Sequence, residues 1–96
     1  MRRLWVGLLG FILIVGLAAS GCATANKIGA ARETMDQARA AGAVYKAPYE
    51  FKAAEAYLKN AVKEAEEGDR KAAEPFAEQA QTYANKALEM SGGGAK

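Results

Sequence analysis

The sequence predicts an all-α fold. Alanine dominates the chain after Cys22, and Pro48 and Pro75 are its only prolines. Apolar residues there recur at three- and four-residue spacing, the period of one helical face. No stretch after Cys22 shows the alternation of β-branched residues that a half-buried strand needs. The expected plan is an apolar leading segment over residues 1–21, a helical domain over 22–90 and a flexible tail over 91–96. The domain holds two to three Ala-rich helices, two of them an antiparallel hairpin, at about 23–46, 48–67 and 69–90.

The leading segment has three parts. Met1-Arg2-Arg3 is a short cationic start, Leu4 to Ala18 is an unbroken apolar run, and Ala19-Ser20-Gly21-Cys22 supplies small residues and the single cysteine. A secretory signal has this layout. A spanning helix needs roughly 20 apolar residues to match ~30 Å of hydrocarbon, and this run is shorter and ends in small residues, not charges. Around Gly21 and Cys22 the sequence resembles a bacterial lipoprotein signal, the lipobox, with Ala19 where leucine is commonest. The resemblance implies cleavage between Gly21 and Cys22, diacylglycerol on the Cys22 sulfur, and a further fatty acid, palmitate or similar, on the new amino terminus. It also implies sorting to the periplasmic face of the outer membrane, because Ala23 and not aspartate follows the cysteine. Aspartate there would favour inner-membrane retention. Two or three acyl chains on one residue make release negligible, since each buried methylene contributes about 0.8 kcal/mol.

Without residues 1–21 the chain has 75 residues, enough for one small domain with a thin core. Arg2 and Arg3 leave with the signal, so 11 basic residues face 11 acidic ones and the net charge of +2 belongs to the precursor. That balance lacks the basic excess that nucleic-acid binding requires.

The first helix, about 23–46, carries Ile28, Ala31, Met35, Ala38 and Gly42 on one stripe. Gly42 weakens it locally, and Pro48 stops it by disfavouring a helical Ala47. The second helix, about 48–67, starts with Pro48 at a first-turn position. It buries Phe51, Ala54, Leu58, Ala61, Val62 and Ala65. Its charged residues point outward, with Glu55 and Lys59 a favourable i, i+4 pair. Gly68 suits a left-handed helix end, and Asp69 suits the cap of the next helix. The third helix, about 69–90, places Ala73, Phe76, Ala77, Ala80, Tyr83, Ala84, Ala87 and Leu88 on its stripe, with a slight kink expected at Pro75. So short a connection at Gly68-Asp69 makes these two helices antiparallel neighbours. Alanine at their contact lets the axes approach more closely than leucine would. The first helix either packs on this hairpin or runs alone as a stalk.

The run AAGAVYKAPYEFKAAEAYLKNAVKEAEEGD, residues 40–69, followed by Ala73, Ala77, Ala80, Ala84 and Ala87, resembles a family of small periplasmic lipoproteins described only as a domain of unknown function. Its members often accompany OmpA-like peptidoglycan-binding domains. That resemblance implies an OmpA-like or peptidoglycan-associated partner. The hairpin is also similar to one tetratricopeptide repeat through Tyr57, Ala61, Gly68, Ala73 and Ala80, although a solenoid needs about three copies.

Residue types for catalysis are scarce. The chain has no histidine and no second cysteine, Ser91 and the threonines have no base partner, and Gly92 to Gly94 lack the helix and lysine of a phosphate loop. No enzyme activity, cofactor or metal is expected. Glu64, Glu66, Glu67 and Asp69 read as a solvated helix end before a calcium site. Tyr45, Tyr49, Tyr57 and Tyr83 read as aromatic packing at the core edge before a ligand-stacking set. The expected role is therefore a structural or interaction lipoprotein of the bacterial cell envelope, held at the membrane by Cys22. Its helical surface would serve a periplasmic partner, and its alanine stripes invite self-association. The alternative is a wall tether. The flexible end at Lys96 resembles that of the Braun-type lipoprotein, whose terminal lysine joins peptidoglycan.

Overall fold

A computed structural model describes residues 23–92. Gly21 and Cys22, with the rest of the leading segment, and Lys96 lie outside the described residues. The described chain is helical and contains no strand, so the fold is all-α. Helix α1 covers residues 23–40, α2 is Ala43–Lys46, α3 is Pro48–Glu66 and α4 is Arg70–Met90.

The first predicted helix is two helices. It was expected to continue to about residue 46, but it ends at residue 40 and restarts at Ala43 as the single turn α2. The break sits at Gly42, whose φ of 87° is left-handed. That conformation costs an L-residue roughly 1–2 kcal/mol and glycine almost nothing. A second bend follows at Ala47, φ −141° and ψ 60°, outside the helical region that the next proline disfavours. Two bends five residues apart reverse the chain, which one bend at Pro48 would not do while keeping Ala43 and Ala47 buried.

Gly42→Ala is accordingly expected to lower stability by about 1–2 kcal/mol. A β-carbon at Gly42 would meet only the flexible Lys46 chain, no closer than 3.5 Å, so the loss comes from backbone conformation alone. A thermal melt followed by circular dichroism checks it, and an unchanged midpoint would contradict the left-handed elbow.

The α3–α4 turn forms as its residues dictate. Gly68 has φ 83°, and the Asp69 carboxylate accepts a hydrogen bond from the Ala72 N–H at 3.0 Å, satisfying one of the free donors at the start of α4. Helix α4 runs unbroken through Pro75. Pro75 and Lys71 both lie on an exposed face, so water can serve the Lys71 carbonyl that Pro75 leaves without a donor. At the far end Ser91, read from sequence as the start of the tail, belongs to the helix end. It is buried, and its hydroxyl donates to the Ala87 carbonyl at 2.7 Å.

The core is a seam of alanines. Eleven alanines are buried among the described residues, and only Met35 and Phe51 add large side chains to them. Ala73, Ala77, Ala80, Ala84 and Ala87 run the length of α4. Ala54 and Ala61 face them from α3, and Ala31 and Ala38 lie buried on α1. Leu58, Tyr83 and Leu88 pack on the seam as half-buried flanks. So α1 does not run alone: it lies on the hairpin, parallel to α4 and antiparallel to α3. The pairings of Lys27 with Glu74 and Glu78, and of Thr34 with Gln81, fix the register of α1 on α4. One end of the bundle therefore carries residue 23 and the α3–α4 turn. The other carries α2, the start of α3 and the end of α4.

Candidate functional site

The two ends differ in chemistry. Val44, Tyr45, Tyr49 and Met90 are the exposed large apolar residues among those described. All four lie at the end away from residue 23. Tyr45, on the single turn α2, is 89% exposed, and Tyr49, in the first turn of α3, is 69% exposed. Buried area contributes about 25 cal/mol per Å² of apolar surface, so a partner that covers these rings would gain from them what the fold does not.

Three of the four predicted tyrosines meet on the hairpin. Tyr57 stacks on Tyr83 with centroids 5.6 Å apart and planes 11° from parallel. Tyr49 meets Tyr83 edge-on at 6.3 Å, and Phe76 lies 6.4 Å from Tyr57. The row spans α3 and α4, because positions 49 and 57 are about two turns apart on one helix, as are 76 and 83 on the other. Tyr49 beside Tyr83, and then desolvation, push the Tyr83 phenol above its ordinary pKa. Tyr45 does not join them; it stands alone at the elbow. Phe76 was legible only as a core residue, and its place in the row depends on the hairpin register.

On the other side of the hairpin, α1 and α3 do not close on each other. Between them lie two adjoining hollows of about 440 and 400 Å³ that share Arg32 and Val62. The first opens beside Thr24 and Ile28, and the second continues past Met35 and Leu58. Neither was foreseen, since apolar spacing shows which face is buried and not how completely a neighbour covers it.

Polar contacts tie α1 down. Lys27 Nζ is 3.1 Å from Glu78 and 3.6 Å from Glu74. The hydrogen bond to Glu78 leads in holding its ammonium above the ordinary lysine pKa, with the Glu74 charge adding to it. Gln81 donates to the Thr34 hydroxyl at 2.8 Å and to Asn85 at 2.9 Å. The Arg39 guanidinium sits 5.3 Å from the Phe51 ring centre, a cation–π contact, and pairs with Asp36 at 3.1 Å. The expected Glu55–Lys59 pair does not form. Glu55 lies 3.8 Å from Lys52, one turn back. Exposed pairs of either kind differ by only tenths of a kcal/mol, too little for sequence to choose between them.

No group of three or more acidic, histidine or cysteine side chains among the described residues is placed to hold a metal ion. At the turn, Asp69 is committed to its cap. No described helix is long and apolar enough to cross a membrane. The predicted lipidation site Cys22, the cleavage residue Gly21 and the terminal Lys96 all lie outside the described residues.

No curated protein and no solved structure matches the chain. A family model described as Domain of unknown function (DUF4398) matches residues 26–91, from the first turns of α1 to the Ser91 cap. That span is more than half of the chain and takes in the helical seam, the aromatic row and the open α1–α3 side, so the chain belongs to the DUF4398 family.

Proposed function

We propose that the protein is a lipid-anchored interaction module of the bacterial cell envelope. Fatty acids on Cys22 would hold it at the periplasmic face of the outer membrane. The observation that carries this reading is the order Met1-Arg2-Arg3, apolar run, Gly21-Cys22, followed at once by a folded helical domain. The bundle's polarity supports it. The end nearest residue 22 has a charged turn, Glu66 to Lys71, and the exposed apolar residues Val44, Tyr45, Tyr49 and Met90 gather at the opposite end. A module anchored at one end and apolar at the other presents its adhesive surface away from its own membrane. A periplasmic partner, OmpA-like or peptidoglycan-associated, would meet it there.

One observation favours the tether reading beside it. Helix α4 ends at the same far end as α2, so Lys96 would follow from the part of the domain most remote from Cys22.

Intact mass of the membrane-extracted protein tests both readings. The expected mass lacks residues 1–21 and carries two or three acyl chains. A muropeptide on Lys96 after wall digestion would add the tether. A chain that still begins at Met1 with a free thiol would overturn the anchor.

A further inference from the structure

Among the described residues, the open side between α1 and α3 has the form of a bundle that lacks one helix. We infer that it is a docking groove for an acidic amphipathic helix of a partner protein. The inference rests on the reading of this chain as an interaction module and adds a second surface to the apolar end. Its floor is apolar: Ile28 and Met35 come from α1, Leu58 and Val62 from α3. Ile28, Leu58 and Val62 are only half-buried, although all three sit on the predicted stripes. They are stripe residues left half-covered on this side, as Ala65 is beside them.

The groove runs from Thr24 to Arg39 along α1. At 1.5 Å per residue that is about 22 Å, or roughly four helical turns. A helix lying in such a groove anchors through residues at i, i+3 or i+4, and i+7. The two hollows share Arg32 and Val62 in their walls, so they lie end to end along α1 and α3.

Charge selects the occupant. Arg32, Lys59 and Arg70 line the groove, are exposed, and form no ion pair among the described residues. Arg39 and Glu55 also line it, but each is engaged on its own helix by Asp36 and Lys52. Glu66 is the one acid on the groove without an ion pair among the described residues. Three free cations against one free anion, flanking an apolar floor, complement a helix with leucine-like anchors and acidic flanks. They oppose a second copy docked groove to groove, because like charges would then face each other. Arginine in two of the three positions adds the possibility of forked bonds to carboxylates.

The test uses the full chain held in nanodiscs of zwitterionic lipid, where either acyl chains or an uncleaved apolar segment retain it. The probe is a fluorescent synthetic 18-residue peptide with leucine at the anchor spacing and glutamate on its flanks. A second peptide has lysine in place of glutamate. Fluorescence anisotropy is expected to show the glutamate peptide binding at least tenfold more tightly than the lysine peptide. The double variant Arg32→Glu, Lys59→Glu, with its circular dichroism spectrum unchanged, is expected to invert that preference, and Val62→Asp to weaken both peptides. Equal binding of the two peptides, no binding, or an unaltered preference in the charge-reversed chain would overturn the proposal. So would preferential binding of the groove to vesicles of anionic lipid, or self-pairing of the chain through Val62. The acyl state of Cys22 is read separately by mass, so failure of the groove and failure of the anchor give different results.

Discussion

Cys22→Ser is expected to abolish fatty-acid incorporation and leave the protein in its uncleaved form. It carries the largest effect of any single substitution in this chain, because it acts on the anchor and leaves the fold alone. One 14-carbon chain gives only marginal, reversible binding, with K of about 10⁴ M⁻¹, whereas a second chain adds about 0.8 kcal/mol for each methylene buried. Serine cannot form the thioether. On the lipobox reading the signal would then stay attached and the protein would be missing from the outer membrane. Labelled palmitate and fractionation read this directly. The helical domain should be unaffected, since the seam begins at Ala31, well after residue 22. The melting midpoint of the helical domain in the variant should therefore match the wild type. Palmitate on the serine variant, or none on the wild-type chain, would remove the anchor from the proposal.

The faces of the helices were readable in the sequence. Every buried residue of α3 and α4 falls on a predicted stripe, because a 3.6-residue period in an alanine-rich chain leaves little choice of inner face. The turn at Gly68-Asp69 was equally plain, since both its residues carry a local physical reason. The elbow was half visible. Glycine at position 42 costs a helix only about 1 kcal/mol, so sequence could mark the weak point but not decide that the chain breaks there. Tertiary demand decides it: α3 must return along α1 while Ala43 and Ala47 stay buried. The docking of α1 was not readable in its register, because Lys27 meets Glu78 across 51 residues and Gln81 meets Thr34 across 47. Such pairs depend on the assembled bundle. The same limit hid the groove. Ile28, Val62 and Leu58 have the spacing of core residues, and only the placement of the helices shows that they stay half-covered among the described residues.

Ala84→Leu is expected to be the most damaging conservative change in the fold. Ala84 is fully buried in the cluster that joins α4 to Phe51 and Ala54 of α3 and to Ala38 and Ala43. Alanine at such a contact lets helix axes approach toward the lower end of the usual separation, about 8–10 Å. Ala84 is fully buried and lines neither hollow of the α1–α3 side, so three added carbons would push the axes apart and the alanines on either side would lose contact. Overpacking of this kind costs about 1–3 kcal/mol. In a domain of 60–100 residues each kcal/mol shifts the midpoint by about 4–8 °C, so the expected fall is on the order of 10–20 °C. A core this small has only a few kcal/mol in reserve, and much of the variant should be unfolded at 37 °C. Ala56→Leu on the exposed face of α3 is the matched control. Leucine is nearly as good a helix former as alanine, and an exposed substitution stays within about 0.5 kcal/mol. If both variants melt with the wild type, the helices do not meet through alanine. If only Ala84→Leu falls, close approach, not hydrophobicity, explains why this chain keeps so small a residue along the whole of α4.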